Sequence, residues 1–145
     1  MNPLILFYFG SHPDSRGRLL ADILEQDDHW LEITHDYIQW LFPNEEKSRV
    51  TPGAPTITKE INQEFRNDEI LRGHLKASYY RMLQFYGLLI TDHGMEKSTN
   101  WENRKENWFT KDTHNNLRIT RILKCLCILG LEDEAKQFYK KLLVL

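Results

Sequence analysis

Two sets of polar residues recur at the spacing that aligns side chains on one face of a helix. Glu32, Asp36 and Gln39 stand at i, i+4 and i+7, and so do His114, Arg118 and Arg121. The first set is acidic and the second basic, and both are set in stretches, residues 35–43 and 114–124, apolar enough to be buried. A guanidinium in a largely buried helix needs partners for five donors. One arrangement that supplies them is an internal ion-pair network, with Glu32, Asp36 and Gln39 as structural partners of the arginines. Another is a pocket near a helix start, in which His114, Asn115, Arg118 and Arg121 hold an anion such as phosphate or a peptide carboxylate. A third leaves the basic residues simply on the surface.

Other chemistries have weaker signals. His35 beside Asp36 has the makings of a general base, yet no serine or cysteine nucleophile sits in a recognisable setting, so no catalytic residue and no enzyme is expected. The six histidines do not pair at the spacing that puts two imidazoles on one helical face. Cys125 and Cys127, two apart on an expected helix, point about 200° away from each other. No metal and no disulfide between them is therefore expected. Gly10 and Gly17 do not open a phosphate-cradling loop, so no nucleotide cofactor is expected. Trp30, Tyr37, Trp40, Tyr79, Tyr80, Phe85 and Tyr86 fall at helical spacing, where aromatic side chains are most often core.

The elements that position these residues read as helices. Residues 10–15 form a turn cluster from which Asp14 or Ser15 caps a helix running to Gln26, with Leu19, Leu20, Ile23 and Leu24 as its apolar face. After Asp27 and Asp28, apolar residues from Trp30 to Phe42 predict one continuous helix, closed by Pro43, and residues 44–55 then read as a surface loop. Thr58 caps a short helix carrying Ile61 and Phe65. Asn67 caps a longer one marked by Leu71, Leu75, Tyr79, Met82 and Tyr86 and stopped by Gly87. Residues 91–111 are polar and loop-like, a strong helix follows through Leu129 to Gly130, and an amphipathic helix bearing Ala135, Phe138 and Leu142 ends the chain. Only residues 4–9 suggest a strand. The expected fold is all-α: residues 1–145 as a single domain, a compact orthogonal bundle of about five to seven helices with long loops.

The 145 residues are enough for a core without disulfides or metal, and 28% of them are charged, as a well-solvated surface requires. A net charge of −2 gives no global reason to bind nucleic acid. The longest apolar run is far shorter than the roughly 20 residues needed to span a bilayer, and it follows Met1-Asn2-Pro3 without a basic segment. No transmembrane segment and no signal peptide is expected. Two reduced thiols and the absence of any Asn-x-Ser/Thr sequon point to a cytoplasmic protein.

Five stretches in this order carry a resemblance: residues 27–43, 82–87 (Met82 to Gly87), Asp92-His93-Gly94, 114–124, and Leu129-Gly130-Leu131. Together they resemble the conserved domain of the opioid growth factor receptor family over nearly the whole chain, with Asn44 where animal members usually carry leucine. The resemblance implies the fold and, for animal members, reception of an enkephalin pentapeptide at the nucleus, with long repeat-bearing tails that these 145 residues lack. A zwitterionic aromatic peptide wants a cation for its carboxylate and a ring to pack on. The place to look for a ligand is therefore the stripe His114, Asn115, Arg118 and Arg121 with Tyr37 and Trp40. Two functions follow as expectations: a non-catalytic module binding a small peptide or anion, or a regulatory protein-interaction domain in which the stripe is a buried structural network.

Overall fold

In the computed structural model, which describes residues 2–48, 51, 53–109 and 113–145, the longest helix, α6 (Glu69–Tyr86), is the axis of the packing. The elements before it are α1 (Pro3–Tyr8), α2 (Leu20–Leu24), α3 (Asp28–Ile33), α4 (Ile38–Leu41) and α5 (Lys59–Asn67). After it come β1 (Leu88–Thr91), β2 (Gly94–Lys97), α7 (Trp101–Trp108), α8 (His114–Ile128) and α9 (Glu132–Val144). Helix α6 packs against α1, α5, α7 and β1, and its Leu71, Leu75, Tyr79, Met82 and Tyr86 lie in the core. Its cap is Asp68 rather than Asn67: the carboxylate accepts from the backbone N–H groups of Ile70 and Leu71 at 2.8 and 3.2 Å. Thr58 caps α5 as its sequence predicts, accepting from Ile61 N at 3.3 Å.

Gly87 ends α6 in the left-handed conformation, φ 84°. A Cβ there would stand 2.8 Å from the Trp101 backbone Cα. Gly87→Ala combines a positive φ with a clash against main chain, and should lose more than about 1 kcal/mol in denaturant unfolding.

The chain is mostly helical but not purely so, which corrects the all-α expectation. Among the described residues there are nine helices and a two-stranded antiparallel sheet, Leu88 to Thr91 opposite Gly94 to Lys97. Part of the segment expected as loop is thus a hairpin followed by a helix. Trp101, Arg104 and Trp108 of α7 are buried, and two of them close over the end of α6: Arg104 Nε donates to Phe85 O at 2.7 Å and Trp108 Nε1 to Tyr86 O at 2.9 Å. Residues 110 and 111 of the expected loop, and 49, 50 and 52 of the one before it, lie outside the described residues.

Residues 4–9 form no strand. Asn2 caps α1 by accepting from Leu4 N at 2.8 Å, Pro3 takes the first helical position, and Leu4, Phe7 and Tyr8 are fully buried. Asp14 caps no helix either. Its carboxylate accepts from the backbone N–H groups of Arg16 and Arg18, both at 2.9 Å, and from Arg18 Nε at 2.8 Å, so that it closes a loop and α2 starts only at Leu20.

The most consequential correction is that the expected continuous helix from Trp30 to Phe42 is two short ones. Thr34 is extended, at φ −97° and ψ 130°, and breaks the chain between α3 and α4. The break lets two neighbours go opposite ways. Tyr37 turns inward, fully buried, and its hydroxyl donates to Leu31 O at 2.6 Å. Asp36 turns outward to Arg18 Nη1 at 3.0 Å and Arg16 Nε at 3.5 Å. Among the described residues no helix is long and apolar enough to cross a membrane.

Candidate functional site

Helix α8 runs past the broken segment, and its arginines meet the carbonyl ends left by the break. Arg118 is 5% exposed. Its Nη1 donates to Leu31 O at 2.7 Å and to the Tyr37 hydroxyl at 3.1 Å, and its Nη2 to Thr34 O at 2.8 Å. Its Cζ also lies 5.3 Å from the centre of the Tyr37 ring. The last carbonyls of a helix have no intrahelical donor, and this guanidinium supplies the donors that a continuing helix would have provided. Among the described residues no carboxylate takes part.

The acidic partner of α8 is Glu32, at the helix start rather than along its length. Asn115, fully buried, donates from Nδ2 to Glu32 Oε2 at 3.1 Å, and His114 Nε2 lies 3.2 Å from Glu32 Oε1. A carboxylate at the first turn also suits the positive end of the helix dipole. Burial pulls the His114 imidazole below its usual value, with Arg118 and His35 acting in the same direction and Glu32 opposing them.

One turn beyond Arg118 the situation changes. Arg121 Nη1 donates to Phe42 O at 3.1 Å, at the end of α4, and among the described residues no carboxylate stands within ion-pair reach. Burial holds this guanidinium below its usual value, the Cys125 thiol opposing the shift. Arg121 lines a groove of about 780 Å³ between α8 on one side and α4 with residues 44–48 on the other. Arg118 and His114 share its α8 wall, and Gln39 and Asn44 stand in the facing wall. Gln39 is 5% exposed, and among the described residues its Oε1 has no hydrogen-bond partner, nor has Asn44 Oδ1.

The structure thus brings His114, Arg118, Arg121 and Gln39 to one groove and disperses the rest. Asn115 is tied behind the wall to Glu32, Tyr37 and Trp40 lie in the core, 0% and 6% exposed, and Asp36 faces the arginines of the loop before α2. Among the described residues the two stripes meet only where Glu32 reaches His114, and the expected wider ion-pair network is not formed, because the break in the helix turns Asp36 to Arg16 and Arg18. Sequence reasoning did not pick out Asn44, Leu117, Lys124 and Cys127, which also line the groove. Leu117 had a signal, a leucine inside a basic motif, and it is 76% exposed at the groove.

The groove is lined by basic, amide and apolar side chains. Cys127, exposed, makes no hydrogen bond to His35 or His114 among the described residues, so no thiol–imidazole pair is assembled. Among the described residues no group of three or more His, Cys, Asp or Glu is arranged to hold a metal ion.

A family model described as the opioid growth factor receptor (OGFr) conserved region matches residues 9–144, taking in both walls of the groove. The chain is 41% identical over 122 residues to the opioid growth factor receptor of Rattus norvegicus, which covers 80% of this chain and 21% of that protein. For the Homo sapiens receptor the identity is 38% over 122 residues, with 80% and 18% covered. For the opioid growth factor receptor-like protein 1 of Rattus norvegicus it is 39% over 105 residues, with 71% and 22% covered. The chain spans about one fifth of the length of these relatives. No solved structure gives a significant match. With its helical core and both motifs inside the matched region, the chain belongs to the opioid growth factor receptor conserved-region family.

Proposed function

We propose that this domain is a non-catalytic, cytoplasmic binding module whose ligand, a small peptide or an anion, occupies the groove between α8 and α4 and meets Arg121. The observation that carries the reading is the contrast within one helix. Arg118 is saturated by backbone carbonyls and a tyrosine, whereas Arg121 is half-buried, makes one hydrogen bond and has no anion beside it among the described residues. A partly desolvated cation without a counter-charge favours any anion that reaches it. The relatives' names, which call them receptor or receptor-like, support ligand reception.

A second reading, a regulatory protein-interaction domain without a small-ligand site, is favoured by Leu117, which is 76% exposed at the groove where a partner's apolar surface would cover it. Thermal unfolding with and without phosphate, sulfate and a short peptide separates the two. On the binding reading a ligand at a hundredfold excess over its Kd adds about 2.7 kcal/mol to wild-type stability, and Arg121→Ala melts near wild type but no longer responds. If no ligand moves wild-type melting, the protein-interaction reading replaces it.

A further inference from the structure

The start of α8 sets two imidazoles beside one carboxylate. The His35 and His114 rings meet edge to face, their centres 5.1 Å apart at an interplanar angle of 72°, and His114 Nε2 lies 3.2 Å from Glu32 Oε1. That carboxylate is already shared, since it accepts from Asn115 Nδ2 at 3.1 Å. The pair joins the break between α3 and α4, where His35 stands, to the first turn of α8. Both residues are exposed, so protons have access to the rings.

The charges around the pair are unequal. His114 is the first residue of α8, where the helix dipole is positive and disfavours a cation. Arg118 one turn on and the neighbouring His35 ring act in the same direction, and Glu32 opposes them. Asp36, next to His35 in the chain, is already paired with Arg16 and Arg18. Arg121, Lys124, Lys47, Glu45 and Glu46 line the groove with the two histidines. Side chains of those three kinds titrate well away from the range of an imidazole.

We propose that His35 and His114 form an acid-released latch: with both rings neutral the first turn of α8 stays closed on the α3–α4 break, and with both charged it opens. Two like charges at this spacing repel each other, and one shared carboxylate compensates only one of them. Burial acts the same way at His114, whose imidazole is held below its usual value. The closed corner therefore binds fewer protons than the open one. Its closure is fully favoured above about pH 6.5 and is lost as the pH falls through the lowered value. Opening releases His114 and Asn115 from Glu32, while Arg118, whose acceptors are neutral carbonyls and a hydroxyl, keeps its hold and confines the movement to the first turn.

Amide hydrogen exchange reads the opening, because in helix α8 the N–H groups of Arg118 and Ile119 donate to carbonyls of the first turn. Protection is taken relative to the intrinsic rate at each pH, so that the chemistry of exchange cancels. In the wild type it is expected to fall about fivefold or more at these two amides between about pH 7.5 and about pH 5. His35→Gln is expected to remove most of that fall, and the double variant His35→Gln/His114→Gln to hold protection level within about twofold. In the same samples the His114 ring is expected to take up its proton at a higher pH once His35 is replaced. Level protection in the wild type overturns the latch, as does a fall that persists undiminished in His35→Gln. The wild-type profile needs no variant to fold.

Discussion

Replacing Arg118 by alanine is expected to remove about 2–4 kcal/mol of stability, because buried neutral acceptors lose their donor and a packed side chain is lost, read as a lower denaturant midpoint. The loss has identifiable parts. Thr34 O loses its 2.8 Å donor, Leu31 O keeps only the Tyr37 hydroxyl, and that hydroxyl loses the guanidinium it accepts from. Each buried acceptor left unmade costs about 1–3 kcal/mol, and the space vacated over the Tyr37 ring adds a packing term. Arg118→Lys is expected to recover less than half, because an ammonium is a point donor and cannot reach two carbonyls and a hydroxyl as a planar fork does. A variant that unfolds like wild type would mean the break between α3 and α4 holds itself.

Removing the Glu32 side chain is the next largest expected effect. Glu32→Ala leaves the fully buried Asn115 amide without its 3.1 Å acceptor, frees His114, and strips the start of α8 of its negative charge. A loss of about 2–3 kcal/mol follows from one unsatisfied buried donor plus the dipole contribution. Glu32→Gln separates the two parts. It keeps an acceptor for Asn115 and removes only the charge, so it should cost about 1 kcal/mol or less. Equal losses for the two variants would assign the whole effect to charge and contradict the hydrogen-bonded role given to Asn115.

Much of the fold was legible where one periodicity ran long. Leu71 to Tyr86 at three-to-four spacing, the stop at Gly87, and the apolar face of α8 ending at Gly130 are local facts of the chain, and tertiary contacts agree with them. The break at Thr34 was not legible. Residues 30–42 keep an apolar helical rhythm, and what interrupts it is non-local: Arg118 lies 84 residues along the chain from Thr34, and Arg16 and Arg18 reach Asp36 from an earlier loop. The hairpin was missed because Leu88 to Lys97 is short and lacks clean alternation, and α7 because its eight residues hold only two large apolar ones, Trp101 and Trp108. The site was half visible. The basic stripe was readable from spacing alone, yet which arginine is spent and which is free depends on carbonyls that a sequence does not display. Tyr37 and Trp40, chosen for their rings, turn out to be core, and Gln39, chosen as a structural partner, stands in the groove wall.

Two arginines one turn apart are set to different work, Arg118 holding the broken segment together and Arg121, on the proposed function, meeting a ligand. Denaturant unfolding of Arg118→Ala and Arg121→Ala side by side in ligand-free buffer tests it most directly. The account predicts a loss of about 2–4 kcal/mol for the first and of about 1 kcal/mol or less for the second, which gives up a single hydrogen bond to Phe42 O. Equal losses, or a larger loss at Arg121, would contradict it, because Arg121 would then be held by the fold in the same way as Arg118.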